Sequence, residues 1–159
     1  MIDSGGTMRI VLGADHAGFE LKELLKRSVA ELGHSALDIG TQSTAPVDYP
    51  DIAAALGRVI QAGEADRGVL VCGSGVGAAV AANKLRGIRA AVCHDGYSAH
   101  QGVEHDDLNV LCLGARIIGV ELARELLRTF LAARFSRAEH HQRRLDKILA
   151  LEHQLSGHA

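Results

Sequence analysis

Gly68-Val69-Leu70-Val71-Cys72-Gly73-Ser74-Gly75-Val76-Gly77-Ala78-Ala79-Val80-Ala81-Ala82-Asn83-Lys84 holds a strand, a turn and the start of a helix in one run. Gly68 to Cys72 is a short apolar segment with β-branched valines, the pattern of a strand buried on both faces. Ala78 to Ala82 is made of strong helix formers. Between them, three glycines let the backbone turn tightly and come close to a ligand. The free amides that open the following helix favour an anion. A thiol at the mouth of that turn feels the same positive end, so its thiolate is easier to form. Cys72 is therefore a candidate base, and Gly73, Ser74, Gly75, Val76 and Gly77 a candidate anion cradle. At this point a plain strand-to-helix turn with an incidental buried cysteine accounts for the residues equally well.

The same alternation continues on both sides. Arg9 to Ala14 predicts a buried strand, and about Phe19 to Leu32 a helix with Leu21, Leu24, Leu25, Ser28, Val29 and Leu32 on its apolar stripe. Ser35 to Gly40 reads as a weaker strand. A polar loop with both prolines leads to a helix from roughly Tyr49 to Ala62. Ile88 to Cys93 is a further strand, His94 to Val103 loop and then helix, and Asn109 to Leu113 the last strand. A long helix spans about Gly119 to Ala133, and a final one begins near Ser136 and extends to about Leu155. Strands and helices at this interval imply an α/β fold, a Rossmann-like doubly wound parallel sheet of five strands in a three-layer αβα sandwich with an extended C-terminal helix. Ligands of such sheets bind beyond the carboxyl ends of the strands. Those ends carry Asp15-His16, Cys72 with its glycines, His94-Asp95 and Arg116.

The chain has 159 residues, with 47% apolar, 23% charged and only 3% aromatic residues, so its core is built from Ala, Val, Leu and Ile. Residues 8–155 are expected to form one domain, and residues 1–7 a disordered extension. A net charge of −2 argues against nucleic acid or an anionic membrane as the main partner. Cys72, Cys93 and Cys112 are odd in number and form no CxxC pair; each closes an apolar run, as reduced thiols at buried strand ends in the cytoplasm would. No signal peptide or membrane-spanning stretch is recognisable.

Asp15-His16 puts an acceptor and a titratable donor on the rim, although an Asp there also serves as a simple helix cap. His94, His100, His105 and Asp106 are legitimate metal ligands, but their spacing fits no standard template, and a general acid or base role for one histidine suits them better. Arg116, Arg143 and Arg144 are candidates for bidentate phosphate contacts, or else solvated charges. The glycine turn is no P-loop, because no Gly-Lys-Ser/Thr closes it. It is no dinucleotide fingerprint, because Cys93 stands where an acidic residue should end the next strand. Nor does it have the closing arginine of a cysteine phosphatase.

The ordered blocks Gly13-Ala14-Asp15-His16-Ala17-Gly18, Asp48-Tyr49-Pro50, Cys72 to Gly77, Ala81 to Lys84, Gly87 to Ala90, Glu104-His105-Asp106-Asp107, Asn109 to Leu111, Gly114-Ala115-Arg116 and His141 to Arg144 resemble the B-type ribose-5-phosphate isomerases, which include the galactose-6-phosphate isomerase subunits. The resemblance runs from Met8 to about Glu152. It implies cofactor-independent and metal-independent interconversion of D-ribose 5-phosphate and D-ribulose 5-phosphate, by ring opening and an enediolate. In that pattern His105 opens the ring and Cys72 carries the proton between C2 and C1. One branch of the family uses a glutamate a few residues later, but Ala78 stands there, which leaves the work to Cys72. The amides of Gly73 to Gly77 and the Ser74 hydroxyl stabilise the enediolate. Asp15 holds hydroxyls, while His16, Arg116, His140 and Arg144 gather around the phosphate, and Tyr49, Val76 and Asp106 complete the substrate contacts. The resemblance also implies a homodimer or homotetramer with each site between two subunits, the C-terminal helix from about residue 136 reaching the partner.

Two positions depart from the family pattern. Asp106 replaces an asparagine after the ring-opening histidine, and His140 replaces the first of two tail arginines, with Arg143 an alternative for that place. Both changes bear on the sugar and not on the reaction class. Another sugar phosphate, such as galactose or allose 6-phosphate, and a catalytically silent sugar-phosphate binding module remain as alternatives.

Overall fold

The structure is a computed structural model and describes residues 6–157. Of the expected N-terminal extension, residues 1–5 lie outside the described residues. The elements run β1 (Arg9–Ala14), α1 (Phe19–Glu31), β2 (Ser35–Asp38), α2 (Tyr49–Gln61), β3 (Arg67–Cys72), α3 (Val76–Ala82), β4 (Ala90–Val92), α4 (Gly96–Asp106), β5 (Val110–Gly114), α5 (Val120–Ala132) and α6 (Glu139–Ser156). The five strands form one parallel sheet in the order β2-β1-β3-β5-β4.

Side-chain alternation along the central strands divides the core into two layers. Ile10, Leu12, Val69, Val71, Leu111 and Leu113 face α1, α4 and α5. Val11, Leu70, Cys72, Val110 and Cys112 face α2 and α3. The three central strands are thus buried on both sides, which is why they read as unbroken apolar runs. The edges are short, as edge strands generally are. β2 stops at Asp38 rather than Gly40, and β4 pairs only through Ala90, Ala91 and Val92 rather than over Ile88 to Cys93. Cys112 lies inside β5 instead of closing it. All three cysteines are free and buried.

The last helix begins at Glu139, not Ser136, because Ser136 is engaged elsewhere. Its N–H donates to the Glu104 carbonyl at 3.0 Å, and its hydroxyl pairs with His141 Nδ1 at 2.5 Å. α6 then lies on its own chain, where Glu152 accepts from the Gly87 N–H at 2.7 Å. Its Leu151 and Leu155 are left exposed. Arg67 reaches the other way. It donates to the Phe130 and Ala133 carbonyls and so closes the C-terminal end of α5.

The sequence pattern misses one core residue, Lys22, which is fully buried. Its ammonium donates to Asp38 Oδ1 at 2.6 Å and Glu23 Oε1 at 3.0 Å, and Lys26 donates to Asp38 Oδ2 at 2.7 Å. Burial alone would raise the Asp38 carboxyl. The hydrogen bonds from Lys22 and Lys26, the Gly40 amide and the Lys22 charge outweigh it and hold the group at about 2. A carboxylate below its unfolded value stabilises the fold above about pH 4, and that contribution fades as the pH falls toward 2. Asp38→Asn is therefore expected to cost about 2 kcal/mol near neutrality. Urea unfolding of both proteins across the acid range checks this: the gap should close below about pH 4.

Candidate active site

Three adjacent strand ends make the rim, because β3 lies between β1 and β5. The Asp15 amide donates to the Val71 carbonyl at 3.2 Å, Ala115 N–H to the Cys72 carbonyl at 2.8 Å, and Arg116 N–H to the Gly73 carbonyl at 3.0 Å. These bonds fix the Asp15, Cys72 and Arg116 turns to one another. The Arg116 guanidinium lies beside Gly73, about as near as a side chain there would touch: a β-carbon on Gly73 would stand 3.5 Å from its Nη1.

Cys72 is 4% exposed, yet its sulfur is not sealed in hydrocarbon. The Gly75 N–H donates to Sγ at 3.1 Å. Gly75 reaches that position in the left-handed region, at φ +81°, which only glycine adopts without strain. An amide dipole aimed at a sulfur supports negative charge there. The other two thiols lack this contact. Burial, then the nearby Asp95 charge, pushes Cys93 up to about 11, and burial raises Cys112 further.

The remaining rim residues are held by the backbone. The Ser74 hydroxyl is exposed and accepts from the Val76 N–H at 3.2 Å. Asp15 Oδ1 accepts from the amides of Ala17 and Gly18, at 3.0 and 3.1 Å. His16 Nδ1 accepts from the Val47 N–H at 3.2 Å, which leaves Nε2 as the protonated nitrogen of the neutral ring. Tyr49 lies across Gly77 so closely that a β-carbon on that glycine would stand 2.6 Å from its ring. So Cys72, Ser74, the glycine turn, Asp15, His16 and Arg116 are gathered, as their strand-end positions predict, and Tyr49 joins them from the start of α2.

His105, Asp106, His140 and Arg144 form a second group at the opposite end of the sheet. α4 must return from the carboxyl end of β4 to the start of β5, so its last turn lies beside the strand starts, where Asp107 pairs with Arg89 at 3.0 Å. The His105 ring stacks on His141 at 4.0 Å, and His140 tilts against His141 at the same distance. Gln101 Nε2 approaches His105 Nδ1 at 2.9 Å and, as donor, leaves Nε2 of His105 to carry the proton. Burial, followed by the charges of His105, His140 and Arg144, holds His141 below the ordinary histidine value. Arg143 lies with Arg137, Glu139, Gln142 and Asp146 along one face of α6. Sequence reasoning overlooked His141, because a buried histidine inside a basic run carries no signal of its own. Among the described residues no group of three or more His, Cys, Asp or Glu is placed to hold a metal ion, and no helix is long and apolar enough to cross a membrane.

A parallel α/β sheet carries an amide-bonded thiol, an Asp-His turn and an arginine on one rim, and the relatives of the chain place it in the class of sugar-phosphate isomerases. The chain belongs to the ribose/galactose isomerase family, which matches residues 10–148. It is 42% identical to ribose-5-phosphate isomerase B of Escherichia coli, over 91% of this chain and 96% of that protein. It is 38% identical to D-erythrulose-4-phosphate isomerase 2 of Mycolicibacterium smegmatis, over 91% of this chain and 97% of that one. Among solved structures, the type B ribose 5-phosphate isomerase of Trypanosoma brucei superposes with a TM-score of 0.89 at 46% identity, covering 92% of this chain and 99% of that one.

Proposed function

We propose that this isomerase interconverts D-ribose 5-phosphate and D-ribulose 5-phosphate at a site completed by a second copy of the chain. The observation that carries the reading is the Gly75 amide on the Cys72 sulfur, set between the Asp15 and Arg116 turns. With the partner's ring-opening histidine equivalent to His105, a proton leaves O1 and the ring oxygen O4 receives one, giving the open aldose. The Cys72 thiolate takes the proton from C2, and the C2–H electron pair moves into the C1 carbonyl to form the enediolate. The amides of the Gly73 to Gly77 turn and the Ser74 hydroxyl face the developing charge. The proton on O2 passes to O1, and Cys72 returns its own to C1, giving the ketose. The thiolate is regenerated, and no electrons are gained or lost.

Asp15 has Oδ2 available for a sugar hydroxyl, since both of its backbone bonds end on Oδ1. His16 Nε2 and Arg116 bind the phosphate from the same chain, and Arg144 and His140 from the partner. Residues 8–155 serve as one domain in this reading, and the enzyme needs no metal or organic cofactor.

One observation favours a second substrate. His140 packs against His141 instead of extending a permanent cation, and Asp106 puts a carboxylate directly after His105 in the chain. A four-carbon 4-phosphate sugar, the substrate class named for the Mycolicibacterium relative, is shorter by one carbon and has no free hydroxyl with which to close a five-membered ring. Ring opening is superfluous for it. His105→Gln should thus lower turnover of ribose 5-phosphate by about tenfold or more while sparing the tetrose phosphate. Steady-state rates on tetrose, pentose and hexose phosphates, for wild type and this variant, test both readings. A preference for hexose 6-phosphates, or binding without turnover, would replace them.

A further inference from the structure

We propose that His94 is a positioning residue of the isomerase site: its ring takes the backbone hydrogen bond that β4, having ended, no longer offers to Gly114. The last residue pair between β4 and β5 is Val92 with Cys112, whereas β5 continues beside β3 to the pair Gly114 with Cys72. Gly114 therefore has a strand on one side and none on the other. His94, two residues beyond β4, fills that place, and the Gly114 N–H donates to its Nε2 at 2.9 Å. The next residue, Asp95, caps α4 by accepting from the Ser98 N–H at 2.7 Å, which fixes the backbone that carries the ring.

Gly114 has little slack toward the site. A β-carbon on it would stand 2.7 Å from both the carbonyl carbon and oxygen of Ser74, and one on Gly75 would stand 3.3 Å from the Gly114 nitrogen. Gly75 is the residue whose amide holds the Cys72 sulfur. A displacement of Gly114 thus reaches the cradle directly. Arg116 follows Gly114 in a turn that the Ile117 N–H closes on the Gly114 carbonyl at 3.0 Å, but its place is also fixed from the β3 side, through its own N–H to Gly73 and that of Ala115 to Cys72. Loss of the His94 bond should therefore loosen the enediolate cradle more than the phosphate contact, which places the effect in kcat and not in KM.

The catalytic consequence rests on the isomerase reading above, and the test separates the two. His94→Leu keeps the bulk and removes the acceptor. His94→Gln places Oε1 where Nε2 accepts. Two quantities are measured on wild type and both variants: exchange of the Gly114 amide with deuterium by NMR, and kcat and KM on ribose 5-phosphate or whichever sugar phosphate the wild type turns over. With Leu, Gly114 exchange should quicken about tenfold and kcat fall about tenfold, with KM within about threefold and little change in Tm. With Gln, both should return to within about threefold of wild type. Unchanged exchange with Leu, no rescue by Gln, or a loss confined to KM overturns the proposal. A wild type that isomerises no sugar phosphate overturns the functional reading instead, and the exchange rates still decide whether His94 holds Gly114. If His94→Leu does not fold, His94→Asn, whose amide is too short to reach Gly114, is measured with the same expected readings.

Discussion

Cys72→Ala is expected to lower kcat/KM by about three orders of magnitude, the weight of a lost catalytic base. The same variant should no longer carry solvent deuterium into C1 of the ketose or C2 of the aldose. Its fold should survive, because Cys72 is the last residue of β3 and the change removes only a sulfur atom from the layer it shares with Leu70 and Cys112. Cys112→Ala is the control. That thiol is fully buried inside β5 with its ionisation suppressed, so its loss should change stability and leave exchange intact. Wild-type exchange in Cys72→Ala would move the base to another residue and remove the sulfur from the mechanism.

The difference between these two cysteines shows what was legible in the sequence. Both follow apolar runs of valine and leucine, and composition alone treats them alike. Three glycines after Cys72 distinguish it, since they announce a turn whose amides return toward the strand end. The structure supplies the particular amide, that of Gly75. The rim was legible for the same reason: in a parallel sheet, residues that follow strands share one edge. Tertiary charge pairing was not. Lys22 falls on the core side of α1, and a lysine there is expected to be outside; Asp38, brought up by β2, together with Glu23 makes its burial tolerable. His94 was also opaque. Its role depends on β4 stopping two residues short, and strand ends at a sheet edge are set by pairing, which local sequence does not encode. The placement of His105 follows from topology once α4 is recognised, since a helix joining parallel strands must end at the opposite edge.

Cys72 and Arg116 lie at the carboxyl ends of the strands, whereas His105 stands beside the strand starts with the α6 histidines, and Arg144 lies close enough to add its charge to His141. Among the described residues, these two groups sit at opposite ends of the sheet within one chain. In the proposed isologous dimer each copy would present its Cys72 rim to the other's α4–α6 surface, and both sites would become complete together. Exposed Val76, Val80 and Ile117 around the rim give such a contact its apolar area. On the proposed mechanism Cys72→Ala alone lacks the base, and Arg144→Ala alone should lose a phosphate contact worth about a hundredfold in kcat/KM. When the two are co-expressed, half of the dimers should be mixed. In each mixed dimer, one of the two sites combines an intact Cys72 with an intact Arg144. Activity should accordingly recover to about a quarter of wild type, far above either parent. Purified mixed dimers carrying two different affinity tags make the count direct. If they are no more active than the parents, Cys72 and Arg144 do not serve one site across an interface.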